Sequence, residues 1–258
     1  MTHSGDAGKQ AVVVIPGIGG HPRFHAGFLD ALRDTYRVHT APHVDFFAEP
    51  CSDWNRHVDH WLSQFTKAAA SEPAVRPPAV VGISFGAHVG WDVRLRLPAG
   101  AMGELVLVSY WPLAGWQRRG LTGLRRAPAV GTAAVGTTSF RWSEWRATDR
   151  AALRRLRGEL YDDEATARRR LFARLVSLAH APPAPPKDTT GVGFVYARRE
   201  WPLRAAQRRG IGTGATVLVD GDHSVSLDGS AELATAVDRL IGQRRAPLDT
   251  PDPDATHR

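Results

Sequence analysis

The sequence predicts an α/β protein in which a mainly parallel β-sheet is flanked by helices and carries a helical insertion. Short apolar, β-rich runs alternate with segments whose apolar residues recur every three or four positions, a pattern typical of strand–helix–strand units. The β-rich runs are apolar throughout, as expected for strands that are covered on both faces. A chain of 258 residues, of which 43 % are hydrophobic, is long enough for one such domain with an insertion.

The first half of the chain predicts four strands and three helices. The apolar run at 12–15, which Pro16 and Gly17 end, predicts the first buried strand. The spacing of Trp54, Val58 and Trp61 predicts the longest helix of this half. In chain order, we expect a strand at 12–15, a helix over 24–32, a strand near 36–38, a helix over 54–65, a strand at 79–83, a helix over 87–97 and a strand at 105–108.

The alternation stops after the fourth strand. Residues 113–187 are first rich in glycine and then helical in pattern, and APPAPPK at 181–187 predicts a stiff linker back to the sheet. Strands at 192–196 and 216–219 and a closing helix over 230–241 then follow. The expected organisation is a core of residues 1–112 and 188–242, a helical insertion at 113–187 and a disordered tail at 243–258.

The formal net charge of +7 is concentrated in the insertion. Residues 113–187 hold 15 Lys and Arg against six Asp and Glu, so the insertion carries +9 and the rest of the chain −2. The aromatic residues lie apart from the densest arginine runs, and no zinc or RNP motif is present, so we do not expect nucleic-acid binding.

The sequence also predicts a cytoplasmic protein without membrane association. No apolar run approaches the about 18 residues that a membrane-spanning helix needs, and the first ten residues hold no apolar segment of a secretory signal. The single cysteine, Cys51, cannot form an intramolecular disulfide or a cysteine zinc cluster, which fits a reducing compartment.

The segment Gly82-Ile83-Ser84-Phe85-Gly86 is a G-x-S-x-G motif between a predicted strand and a predicted helix. A sharp strand-to-helix turn of this kind exposes the serine hydroxyl at the carboxyl edge of the sheet. Its glycines are needed because neighbouring segments come too close for Cβ atoms. Ser84 is therefore a candidate nucleophile, and a simple glycine-rich turn is the alternative.

A serine nucleophile requires a base, and the base requires an acid. His223 follows the last predicted strand, so it should lie at the same sheet edge as Ser84. Glu200, just beyond the strand at 192–196, is the candidate acid, and the order Ser…Glu…His is that of an α/β-hydrolase. A surface histidine and a surface ion pair of Glu200 with its neighbouring arginines are the alternatives, and Asp222 is the backup acid.

An oxyanion hole needs backbone N–H groups directed at the developing negative oxygen. One is expected from Phe85, the residue after the nucleophile. The other is expected from the segment PGIGG at 16–20, which we call the oxyanion loop, with Ile18 as the first choice and Gly19 as the next. The loop lacks the Lys-Ser/Thr of a P-loop and the full G-x-G-x-x-G spacing, which disfavours nucleotide binding.

With these motifs in this order, the sequence resembles the α/β-hydrolase superfamily over residues 10–112 and 188–242. The resemblance implies an eight-stranded fold in which Ser84 is the nucleophile, His223 the base and Glu200 the acid, with the insertion as the lid. The chain departs from the family pattern in having Glu where Asp is commoner, and Ala197 where a glycine often precedes the acid by three positions.

The resemblance implies a serine hydrolase similar to bacterial type II thioesterases and related carboxylesterases. Such an enzyme cleaves an ester or acyl thioester through an acyl-enzyme and requires no metal or cofactor. Relatives with the same triad in natural-product pathways perform cyclisation, elimination or acyl transfer instead. A non-catalytic ligand-binding protein on this fold is a third alternative.

Two features of the insertion bear on the substrate. Aromatic side chains at its entrance and in its first part are candidates for the walls of an acyl pocket, and packing of the lid onto the core explains them equally well: Tyr110, Trp111, Trp116, Trp142 and Trp145. The arginine runs at 150–157 and 168–174 suit phosphate or carboxylate binding. An acyl carrier protein or a coenzyme A thioester is therefore a candidate partner, and a solvated basic face is the alternative.

Overall fold

The computed structural model describes residues 8–17, 21–42, 54–71, 76–111, 119, 150–160, 190–200, 215–221, 223 and 230–242. Within these ranges six strands form one sheet in the order β2-β1-β3-β4-β5-β6, and every neighbouring pair is parallel. The strands are β1 (Ala11–Ile15), β2 (Arg37–Thr40), β3 (Ala79–Ile83), β4 (Leu105–Val108), β5 (Val192–Ala197) and β6 (Ala215–Val219). The predicted parallel α/β fold is confirmed.

Helices cover both faces of this sheet. The α-helices of the described ranges are α1 (Ala26–Arg33), α2 (Trp54–Ala70), α3 (Phe85–Arg96), α4 (Arg150–Leu160) and α5 (Ser230–Gly242), and a short 3₁₀ helix at Pro22–His25 leads into α1. Val13 belongs to the apolar cluster covered by α2 and α3, whereas its neighbour Val12 belongs to the cluster covered by α1 and α5. The central strands are therefore buried on both sides, which explains why their sequences are continuously apolar.

The helix predicted over 54–65 extends to Ala70, and two further predicted helices differ from the expectation at their start. The helix predicted from residue 87 begins at Phe85, because the turn at Ser84 leads directly into it. The start of the helix predicted over 24–32 is the 3₁₀ helix at Pro22–His25, and α1 follows from Ala26. Both differences shorten the connections between the sheet edge and the helices that follow.

Of the predicted insertion, the structure describes residue 119 and α4. Glu159 of α4 forms an ion pair with Arg23 of the 3₁₀ helix at 2.6 Å, which joins α4 to the segment that follows the oxyanion loop. The boundaries predicted for the insertion and the tail fall on residues outside the described ranges. Within those ranges, none of the helices combines the length and the apolar character that crossing a membrane would require.

Candidate active site

Ser84 occupies a strained turn between β3 and α3. Its φ of 53° is a left-handed value that residues with a side chain rarely adopt. A Cβ on Gly82 would lie 2.5 Å from the carbonyl oxygen of Gly86. A Cβ on Gly86 would lie 2.5 Å from the carbonyl oxygen of Pro16 and closer still to that of Ile15. The turn therefore requires glycine on both sides of Ser84, as the motif predicts.

His223 approaches Ser84 from the loop after β6. Its Nε2 atom lies 3.1 Å from the Ser84 hydroxyl oxygen. The histidine side chain is 44 % exposed, so the Ser84–His223 pair lies at the surface of the described structure. A neutral imidazole that accepts the serine proton at Nε2 must carry its own proton on Nδ1.

Glu200 is the carboxylate that the structure brings to this histidine. It is buried, and its Oε2 lies 3.0 Å from Nδ1 of His223. Its other oxygen, Oε1, accepts the backbone N–H of Ala197 at 2.8 Å. An acceptor at Nδ1 favours the tautomer in which Nε2 can receive a proton from Ser84. Asp222, the backup acid, lies outside the described residues.

Backbone hydrogen bonds hold the acid-bearing turn against the histidine-bearing loop. The amide of Arg198 donates to the carbonyl of Val219 at 2.9 Å, and the amide of Arg199 donates to the carbonyl of Gly221 at 3.1 Å. The pairing of β5 with β6 thus continues beyond the two strands. The side chain of Arg198 pairs with Asp220 at 3.0 Å, whereas the side chain of Glu200 is fully buried. The surface ion pair considered for Glu200 is therefore not what the structure shows.

Phe85 is the first residue of α3, where backbone N–H groups have no acceptor within the helix. Its ring packs edge-on against Trp54 at 5.9 Å and against His57 at 6.3 Å between ring centroids. These contacts from α2 fix the residue whose amide is the predicted oxyanion donor. The other predicted donors, Ile18 and Gly19, lie outside the described residues, so their role stays a prediction.

His25 contacts the start of the oxyanion loop and is a residue of the site that the sequence motifs do not predict. Its Nε2 accepts the backbone N–H of Gly17 at 3.2 Å. Burial lowers the pKa of His25 from 6.5 to about 4, which favours the neutral form that can accept this bond. His25 is one of eleven histidines in the chain, and no motif or spacing in the sequence distinguishes it from the others.

Of the predicted pocket aromatics, the structure describes Tyr110 and Trp111. Tyr110 is 1 % exposed: its ring centroid lies 4.7 Å from that of His88, and its carbonyl accepts the hydroxyl of Tyr196 at 3.1 Å. Burial, with smaller contributions from the charge of Glu200 and from Tyr110, raises the pKa of Tyr196. Tyr110 therefore packs in the core and presents almost no surface to a ligand, whereas Trp111 is half-buried. The remaining candidates lie outside the described residues: Trp116, Trp142 and Trp145.

Potential metal ligands are not grouped in the described ranges. There, no three His, Cys, Asp or Glu side chains are arranged to hold a metal ion. The expectation of a reaction without metal or cofactor stays a prediction.

Several solved structures are similar to this chain over most of its length. A hydrolase from Pseudomonas aeruginosa PA01 is 18 % identical with a TM-score of 0.59, and the match covers 93 % of this chain and 92 % of that one. The Vlm2 thioesterase domain, bound with a dodecadepsipeptide, is 16 % identical with a TM-score of 0.57 over 90 % of this chain and 93 % of that one. A bromoperoxidase from Bacillus anthracis is 13 % identical with a TM-score of 0.62 over 92 % of this chain and 93 % of that one. At these identities the likeness shows the fold alone.

The family assignment comes from the sequence itself. No curated protein matches the chain significantly. The model of the Alpha/beta hydrolase family matches residues 12–236, a range that runs from β1 into α5 and includes Ser84, Glu200 and His223. The chain therefore belongs to the alpha/beta hydrolase family.

Proposed function

We propose that this chain is a serine hydrolase that cleaves an ester or acyl thioester through an acyl-enzyme on Ser84. The observation that carries the proposal is the continuous hydrogen-bonded series from the Ser84 hydroxyl through His223 to Glu200, with distances of 3.1 and 3.0 Å. A nucleophile beside a base that a buried acid orients is the arrangement that acyl transfer requires.

The first half of the reaction forms the acyl-enzyme. The Ser84 oxygen attacks the substrate carbonyl carbon while its proton passes to Nε2 of His223. The resulting imidazolium is stabilised by the carboxylate of Glu200, and the oxyanion by the Phe85 amide and an amide of the oxyanion loop. As the carbonyl re-forms, the bond to the alcohol or thiol breaks, and the leaving group takes the proton from His223.

The second half releases the acid. A water molecule attacks the acyl carbon with its oxygen, and His223 accepts a proton from that water. The tetrahedral intermediate then collapses, Ser84 recovers its proton from His223, and the carboxylic acid leaves. Each proton is therefore moved by the same imidazole, which explains why its tautomer must be fixed.

Covalent labelling of Ser84 tests the proposal. A fluorophosphonate probe should label the native chain, and Ser84→Ala should abolish the labelling. Ser109→Ala is a matched control, because Ser109 follows the neighbouring strand β4 and also has a left-handed φ, 52°. We expect that control to be labelled like the native chain. Labelling of Ser84→Ala, or no labelling of the native chain, would contradict the assignment.

For the substrate, we propose a thioester carried by an acyl carrier protein or by coenzyme A and delivered in the cytoplasm. Support comes from the basic insertion, of which α4 presents Arg150, Arg154 and Arg155 as exposed residues. Arginine binds phosphate in a bidentate manner, which suits a phosphopantetheine group or an acidic carrier. Changing Arg154 and Arg155 to Glu should lower kcat/KM for carrier-bound substrates and leave small p-nitrophenyl esters unaffected. An unchanged kcat/KM for carrier-bound substrates would refute this part of the proposal.

A further inference from the structure

His25 and Gly17 form a buried hydrogen bond beside the nucleophile. The N–H of Gly17 points to Nε2 of His25 at 3.2 Å, and His25 is 7 % exposed. A Cβ placed on Gly17 would lie 3.6 Å from Cβ of Ser84 and 3.9 Å from Nε2 of His25. The bond therefore fixes the backbone where the oxyanion loop passes Ser84.

This hydrogen bond selects one orientation of the peptide between Pro16 and Gly17. Three of the five residues in the oxyanion loop are glycines, which adopt many backbone conformations at similar energy. Without an acceptor, the buried N–H of Gly17 would be unsatisfied, which favours rotation of the peptide between Pro16 and Gly17. Because the same N–H already donates to His25, it is not directed at the oxyanion, which agrees with the prediction that Ile18 or Gly19 carries the donor.

The bond also requires one protonation state of His25. Since Nε2 accepts, it carries no proton, and the neutral ring has its proton on Nδ1. The burial that lowers the pKa of His25 to about 4 keeps the ring neutral at ordinary pH. His25 can therefore act as a permanent acceptor.

We propose that His25 is a positioning residue for the proposed oxyanion hole: by accepting the Gly17 N–H it fixes the backbone of Gly17 beside Ser84, directly before the predicted oxyanion donors Ile18 and Gly19 in the sequence. The inference rests on the proposed acyl-transfer function. It assigns His25 no contact with the substrate and no proton transfer. Its effect should therefore lie on the chemical step and not on substrate binding.

Two variants of similar side-chain length separate the hydrogen bond from packing. In His25→Gln an amide oxygen can take the place of Nε2 as acceptor, whereas His25→Met fills a similar volume with only a weak acceptor. Loss of one oxyanion donor lowers kcat by about 10²–10³, and an indirect displacement should have a smaller effect, about 10- to 100-fold. We expect kcat of His25→Met on a p-nitrophenyl ester to fall by that factor with KM changed less than about threefold, and His25→Gln to recover most of the loss.

A second histidine variant controls for the loss of an imidazole as such. His39 of β2 also has a pKa lowered mainly by burial, but β1 separates its strand from β3, so it is remote from Ser84. His39→Leu should keep the native kcat. Equal kcat values in folded His25→Met and His25→Gln, whether high or low, would overturn the inference.

The native protein gives an independent test if a variant does not fold. Nitrogen-15 NMR of the imidazole groups at pH 6 should show the proton of His25 on Nδ1 and an unprotonated Nε2, and a protonated Nε2 would overturn the inference. Failure of the proposed function is distinguishable, because the native chain would then resist the fluorophosphonate probe. A labelled, active native chain with equal Gln and Met variants refutes only the role of His25.

Discussion

Glu200→Gln is predicted to reverse the imidazole tautomer while leaving the fold intact. In the native chain Oε1 of Glu200 accepts the Ala197 N–H and Oε2 faces Nδ1 of His223. A glutamine side chain keeps the Ala197 bond only if its carbonyl oxygen takes the Oε1 position. Its NH₂ group then faces Nδ1, which must become an acceptor. The proton moves to Nε2, and the base can no longer accept the proton of Ser84.

The magnitude follows from the two contributions that glutamine removes. If the glutamine side-chain amide turned so that its oxygen faced Nδ1, the native tautomer would be restored. The buried Ala197 N–H would then have no acceptor, which costs about 1–3 kcal/mol. The charge-assisted bond to the imidazolium, about 1.5–3 kcal/mol, is lost as well. Together these contributions raise the activation free energy by about 2.5–6 kcal/mol, so kcat should fall by about 10²–10⁴. KM should change little, because no contact of Glu200 with a substrate is part of the mechanism.

The assay is steady-state hydrolysis of a p-nitrophenyl ester, with thermal unfolding to verify the fold. Glu104→Gln is the matched control, since Glu104 immediately precedes β4 at the opposite edge of the sheet and its side chain contacts Gln10 at 3.4 Å. It should retain the native kcat. A folded Glu200→Gln enzyme within tenfold of the native kcat would refute the role assigned to the acid.

Three further predictions concern the turn, the buried histidine and the reaction. Gly86→Ala should lower the free energy of unfolding by about 1–3 kcal/mol and abolish activity, because its Cβ would overlap the Ile15 and Pro16 carbonyl oxygens; a native melting temperature would contradict this. Because the pKa of His25 is about 4 in the fold and 6.5 when unfolded, the unfolded chain binds more protons at acidic pH. The free energy of unfolding should therefore fall by up to about 3 kcal/mol as the pH drops from about 6.5 to 4. Denaturant unfolding at each pH measures this decrease, and His25→Met should lack it. In ¹⁸O-labelled water the acid product should contain the label, whereas a cyclase, lyase or acyltransferase would release unlabelled product.

The fold and the meeting of the Ser84, Glu200 and His223 side chains were predictable because each depends on a local pattern. Continuous apolar runs mark strands buried on both faces, and the strand-to-helix context of the G-x-S-x-G motif identifies Ser84. Glu200 and His223 could be chosen because each follows a strand, and the carboxyl ends of parallel strands meet at one sheet edge. The structure brings these three side chains together, which is what the order in the sequence indicates.

Other features depend on contacts that no periodicity records. His25 meets Gly17 through the turn of the 3₁₀ helix, and eleven histidines gave no reason to prefer it. The position of Tyr110 in the sequence predicts a pocket residue, yet its side chain packs against His88 in the core. An aromatic residue at the end of a strand can point into the core or into a pocket, and only the packing decides between them.

The central claim is that Ser84 carries the acyl group during turnover. Mass spectrometry of the chain measures this directly, after a reaction with a p-nitrophenyl ester is quenched with acid. Ser84→Ala is treated in the same way as the control. We predict an acyl group on the peptide that contains Ser84, with no more than one per native chain, and none in Ser84→Ala. Turnover by Ser84→Ala, or an acyl group on another residue, would contradict the mechanism.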